Sequence, residues 1–182
     1  LESMVESALE TLETQTGKEF GNPSSPLLLS VRSGAQISMP GMMDTLLNVG
    51  LNDEALEGLA ATHGDERFAL DAYRRLLQMY GSIVRGIPAE RFHFRLDELK
   101  TEFGEPRMQD SKLDVASLRT LVDDYKSLIE EASGTPFPSE VRTQLWDAVR
   151  AVFASWDNAR AIRYRRMQGI HGVIGTACTV QA

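Results

Sequence analysis

The chain has 182 residues, 42% of them hydrophobic, enough to bury a core as one domain or one domain with a small appendage. Its 19 Lys and Arg against 26 Asp and Glu give a formal net charge of -7, which leaves no overall basic footprint for nucleic acid. No apolar run nears the roughly 20 residues that cross a bilayer, and the acidic start Leu1 to Glu10 lacks the basic opening and apolar body of a signal peptide, so no membrane contact and a cytoplasmic location are expected.

Ser3 to Thr16 sets Val5, Leu9 and Leu12 at helical spacing, and Gly17 closes the pattern. After the turn-rich segment from Gly21 to Pro26, the run Leu27 to Val31 is short, apolar and bounded by breakers, which predicts a strand buried on both faces and ending at Arg32. Ser33 to Asn52, with Gly34, Pro40, Gly41 and Gly50, reads mostly as ordered loop. Helices are then expected at about Glu54 to Ala61, Asp65 to Arg85, Pro88 to Phe103, Asp114 to Ser133, Ser139 to Ser155 and Asn158 to Gln168. Asp65 and Ser139 are candidate caps, and Pro88 fits a first helical turn. The small and β-branched residues from Gly175 to Val180 predict a second strand. Neither repeats nor low-complexity segments are visible.

Chemistry concentrates where a buried strand delivers Arg32 into Ser33-Gly34-Ala35. A guanidinium is always charged and grips two phosphate oxygens at once, and glycine lets backbone N–H groups approach an anion. The competing reading is a structural ion pair from Arg32 to Asp44 or Asp53. Met39, Met42 and Met43, on one loop, must be buried against something: a purine, an adjoining subdomain, or gaps beneath the loop itself. Asp44 by itself is too thin a basis for a Mg²⁺ ligand. Arg160, Arg163, Arg165 and Arg166 form a basic helix end that can receive phosphate, dock an acidic surface or simply stay solvated. His63, His93 and His171 have no triad or metal spacing, and the single cysteine, Cys178, has no disulfide or CxxC partner. Trp146 and Trp156, with Leu145, Val149, Val152 and Phe153, fit the apolar side of a packed helix.

Two blocks carry a family likeness. Ser30-Val31-Arg32-Ser33-Gly34-Ala35, continuing through Ser38 to Thr45 and Leu47 to Asp53, resembles the N-terminal region of pyruvate, phosphate dikinases; so does Ala151 to Ile162 with Tyr164-Arg165-Arg166 and Gly175-Thr176-Ala177. The resemblance implies an α+β, predominantly helical fold: an incomplete ATP-grasp-like nucleotide-binding domain. Residues 1–52 and 158–182 would belong to the ATP-binding subdomain and 53–157 to an inserted helical subdomain. It makes Arg32 the nucleotide-phosphate arginine, with Ser33, Gly34 and Thr176 as further nucleotide-binding residues, and assigns no catalytic residue and no metal ligand. ATP with Mg²⁺ is the implied ligand. In such enzymes ATP passes its β-phosphate to a swivelling histidine domain, inorganic phosphate takes the γ-phosphate, and pyruvate becomes phosphoenolpyruvate at a distant barrel. The family's glycine-rich phosphate loop with its lysine, the acidic metal-binding strands, the phosphohistidine domain and the barrel are not in these residues, so turnover by this chain alone is not expected. A phosphoenolpyruvate synthase or glucan dikinase shares the arginine-serine signature, but the segment from Met39 to Thr45 favours the pyruvate, phosphate enzyme. A non-catalytic helical interaction module is the alternative from another class, and exposed edges at both strands are expected to favour a homodimer.

Overall fold

The computed structural model describes residues 2–102, 104 and 107–182. The fold is α+β and mainly helical: a helical layer lies on a three-stranded antiparallel sheet. Strand β1 (Leu29–Gly34) lies between β2 (Thr45–Val49) and β3 (Ala177–Gln181). Helices α1 (Glu2–Thr16), α2 (Asp53–His63), α3 (Glu66–Met79), α4 (Ala89–Glu102), α5 (Val115–Ser133), α6 (Val141–Ala154) and α7 (Ala159–Met167) supply the rest.

The sheet departs from the sequence expectation in three ways. The first strand sits two residues further on than Leu27 to Val31, and it is covered on one side only. Leu29 and Val31 are buried and Arg32 and Gly34 exposed, the alternation of an antiparallel sheet with one helix-packed face. Second, β2 occupies part of the segment read as loop. Its alternation is broken by a bulge: Leu29 faces Val49 and Val31 faces Leu46, so β2 carries an extra residue there. Asn48 absorbs it at φ +60°, steadied by donation from its Nδ2 to the Ala72 carbonyl oxygen at 3.1 Å. Third, β1 is central, not an exposed edge; β2 and β3 hold the edges.

Local signals place the helices. Asp65 and Asp114 accept from Phe68 N–H and Ser117 N–H as N-caps of α3 and α5. Glu140, not Ser139, caps α6, because its carboxylate reaches both the Arg142 and Thr143 N–H groups. The expected helix to Arg85 changes character: α3 gives way to a π-helical turn, Tyr80–Val84. Gly81 lies in it because a Cβ would stand 2.3 Å from Phe92 Cζ, so only glycine lets α4 come this close. Phe103, the expected end of α4, lies outside the described residues.

One contiguous core runs from Leu9 on α1 through β1 and β2 to Val152 on α6. Phe92 and Tyr125 meet edge to face at 5.0 Å, and the Tyr125 hydroxyl donates to the Phe92 carbonyl oxygen at 2.9 Å. Burying such a ring stabilises by about 1.5–3 kcal/mol. Trp156 is buried and Trp146 half-buried, as expected of core residues, whereas Phe153 faces outward at 44% exposure. Gln144 of α6 places a side-chain amide in the interior with 0% exposure. It accepts from Gly50 N–H at 3.0 Å and donates to the Leu51 and Pro138 carbonyl oxygens at 2.9 and 2.8 Å, tying the exit of β2 and the approach to α6 together. Among the described residues no helix is long and apolar enough to cross a membrane.

Candidate functional site

Where β1 leaves the sheet, its last residues and the loop leading to β2 enclose an open depression of about 280 Å³. Arg32, Ser33, Gly34, Ser38, Met39 and Met43 are among its walls. Strand alternation turns Arg32 and Gly34 away from the buried Leu29 and Val31, toward the uncovered face. Arg32 is not engaged by Asp44 or Asp53. Asp44 pairs with Arg160 at 2.7 Å, and Asp53 with Lys126. Arg32 Nε donates to Gln181 Oε1 of β3 at 3.2 Å, and the guanidinium forms no ion pair among the described residues. A cation aimed by a neutral amide keeps its charge for an anion, and its two terminal nitrogens point the forked donor set that phosphate oxygens accept.

Gly34 has a different reason to be glycine than the one read from sequence. Its residue is paired with Ala177, and a Cβ there would stand 2.9 Å from Thr179 Oγ1, so the missing side chain lets β3 close on β1. Ser33 lines the depression beside Arg32. Thr176 stands one residue before β3, outside the lining, and its hydroxyl donates to the Ala177 carbonyl oxygen at 2.8 Å. The structure therefore gathers Arg32, Ser33 and Gly34 and leaves Thr176 beside them on the neighbouring chain segment.

The methionines divide between two roles. Met39 is buried at 6% exposure and anchors the loop; Met42 and Met43 are half-buried, and Met43 lines the depression. A turn at Gly41, φ +71°, and a bond from Met42 N–H to the Met39 carbonyl oxygen at 3.1 Å shape the segment between them. Of the basic cluster, Arg160 holds Asp44, and Arg165 lies 4.0 Å over the Trp156 ring. Arg163 and Arg166 are exposed. Sequence reasoning did not join Arg160 to Asp44, since 116 residues separate them, although both fall in the two blocks that carry the family likeness.

The remaining reactive groups are quiet. Burial pushes the Cys178 thiol up to about 11, so at neutral pH it is not a thiolate. His63 Nδ1 lies 3.1 Å from the Leu59 carbonyl oxygen, and His93 is bonded to Gln78 at 3.0 Å. Among the described residues no group of three or more His, Cys, Asp or Glu could hold a metal ion.

The chain is thus an α+β domain whose central strand carries an exposed arginine into an open loop pocket. Comparison with known sequences then gives its kinship: the chain belongs to the pyruvate phosphate dikinase, AMP/ATP-binding domain family, whose model matches residues 1–182. It is 48% identical over 182 residues to pyruvate, phosphate dikinase of Rhizobium meliloti (strain 1021), covering 100% of this chain and 20% of the relative. It is 50% identical over 173 residues to the chloroplastic pyruvate, phosphate dikinase 1 of Arabidopsis thaliana, covering 95% of this chain and 18% of the relative. The enzyme of Clostridium symbiosum is 48% identical over 182 residues, 100% of this chain and 21% of the relative. The chain thus spans about a fifth of the length of these relatives.

Proposed function

We propose that this chain supplies part of the nucleotide site of a pyruvate, phosphate dikinase, with Arg32 gripping ATP phosphate oxygens and Ser33, Gly34 and Thr176 lying along the nucleotide. The observation that carries this reading is Arg32 itself: a charged side chain lining the depression, aimed by Gln181 and unpaired with any carboxylate among the described residues. In an ATP-grasp-like arrangement the nucleotide lies between subdomains, so an open pocket is the expected form of one wall. Phosphoryl transfer depends chiefly on positioning and on neutralising charge. Arg32 supplies both here, by fixing phosphate oxygens and offsetting their charge. Mg²⁺ would enter with ATP, bound to its phosphate oxygens and helping to neutralise their charge. The complete protein would convert ATP, phosphate and pyruvate to AMP, diphosphate and phosphoenolpyruvate in the cytoplasm, with the phosphohistidine and pyruvate domains supplied by the remainder of the enzyme.

Calorimetric titration with ATP and Mg²⁺ tests the reading. Loss of a hydrogen bond to a charged group costs about 1.5–3 kcal/mol, so Arg32→Ala is expected to weaken ATP binding roughly 10- to 150-fold. Equal affinity of parent and variant refutes the assignment. A second reading, a non-catalytic interaction module, draws on the sheet order, in which β3 has a neighbour on one side only. Self-association seen by light scattering and indifferent to ATP would favour that reading.

A further inference from the structure

Three side chains at the junction of α6 and α7 reach across the molecule to the loop that walls the depression. Ser155, buried in a 3-10 turn, accepts from the Asp44 N–H at 3.2 Å, and its hydroxyl donates to the Val152 carbonyl oxygen at 2.7 Å. Asn158 donates from Nδ2 to the Met42 carbonyl oxygen at 3.1 Å, while its Oδ1 accepts from Ala161 N–H at 2.8 Å as the N-cap of α7. Arg160 pairs with Asp44 Oδ1 at 2.7 Å. All three reach residues at least 111 positions away in sequence, and all three land on Met42 or Asp44. With Met39 buried at the other end, the loop from Ser38 to Asp44 is held at both ends and turned at Gly41 between them.

We propose that Ser155, Asn158 and Arg160 form a clamp that sets the shape of the phosphate-facing depression: positioning residues for nucleotide binding that themselves touch no nucleotide. The inference rests on the reading of Arg32 as a phosphate contact, because the clamp acts on the loop that lines the same depression as that arginine. A loop with three methionines and one glycine among seven residues is adaptable by composition, and ordering it costs roughly 1–2 kcal/mol of backbone entropy per residue. A loop ordered before the ligand arrives leaves less of that cost to binding. The clamp accounts for the presence of both family-like blocks: one makes the loop, and the other fastens it.

The decisive variant is Asn158→Asp with Arg160→Gln in the 182-residue chain. Asp still accepts from Ala161 N–H and so keeps the cap of α7, but it loses the donor to Met42 and faces that carbonyl with an oxygen. Two measurements are made beside Arg32→Ala: amide hydrogen exchange at Met42 and Asp44 without nucleotide, and calorimetric titration with ATP and Mg²⁺. The proposal expects exchange at Asp44 at least tenfold faster, and ATP binding roughly tenfold weaker, in a variant that still unfolds cooperatively. Arg160→Lys, and the reciprocal exchange Arg160→Asp with Asp44→Arg, should restore most of the affinity, a rescue that general destabilisation would not give. If Arg32→Ala weakens binding while the clamp variant binds ATP as the parent does, the clamp is wrong and the nucleotide reading stands. If Arg32→Ala binds like the parent, the nucleotide reading fails and the clamp's functional role falls with it. Should the double variant not fold, Asn158→Asp alone carries the test, and unchanged Asp44 exchange together with unchanged affinity overturns the proposal.

Discussion

Replacing Gln144 by Met keeps length and approximate volume while removing every hydrogen-bonding atom of the side chain. Gly50 N–H and the Leu51 carbonyl oxygen would then lose partners at a site whose side chain has 0% exposure, and the Pro138 carbonyl would lose one at a partly buried site. The strand exit cannot swing away to find others. Gly50 sits at φ +110°, with Leu27 O only 2.9 Å from where a Cβ would be. An unsatisfied buried group costs about 1–3 kcal/mol, so the two most buried give about 2–6 kcal/mol, against which the thioether returns about 1 kcal/mol of apolar transfer. The expected net loss is about 1–5 kcal/mol, or roughly 2–20 °C in Tm for a chain of this size. Urea unfolding followed by tryptophan fluorescence and by far-ultraviolet circular dichroism would measure it. A loss below about 1 kcal/mol would refute the view that Gln144 is the polar tie between the sheet and the helical layer.

Gly58→Ala should be among the costliest small changes, because its Cβ would fall 1.4 Å from the Pro23 carbonyl oxygen, and backbone there must move; a Tm within 1–2 °C of the parent would count against the packing described. For Asp110, partial burial opposes ionisation, but the hydrogen bond and charge of Lys100, with Arg74, outweigh it and hold the carboxyl below its ordinary range. Glu140 is held low in the same sense: slight desolvation is overcome by the Arg142 and Thr143 N–H groups. Folded-state values below the unfolded ones give stability that is full above the ordinary carboxylate range near pH 4 and lost as pH falls through it. Tm should therefore decline between about pH 5 and pH 3, and Asp110→Asn should shrink that decline; a Tm independent of pH there would overturn the assignment. Tyr80→Phe removes a hydroxyl that donates to Asp147 Oδ2 at 2.6 Å in a half-buried site, and chemical denaturation should register a loss of about 1–2 kcal/mol.

The helices were largely legible in the sequence because their boundaries are written locally. Asp65, Asp114 and Asn158 cap them, and Gly17 and Gly134 end them in the left-handed region. The sheet was less so. β2 is five residues long, and its bulge at Asn48 breaks the alternation that would have advertised a strand. The π turn after Met79 carries Gly81, whose missing Cβ answers to Phe92 of another helix, a contact that no local pattern could announce. Arg32 stood out from its position beside Ser33 and Gly34, and the depression forms around it. The competing partners proposed for it, Asp44 and Asp53, turned out to serve Arg160 and Lys126, contacts that exist only after folding brings distant segments together.

The two neighbours of β1 reach it on very different terms. β2 arrives through a short connection, whereas Arg32 and Gln181 of β3 are 149 residues apart in sequence. Closing the longer loop costs about 2 kcal/mol more in chain entropy, by the logarithmic dependence on loop length. In return, β3 brings only half-buried or exposed side chains to the sheet. By that accounting β3 is held to β1 less firmly than β2, whose Leu46 and Val49 are fully buried. Because Gln181 on that strand aims Arg32, the orientation of the guanidinium depends on how firmly the edge of the sheet is held.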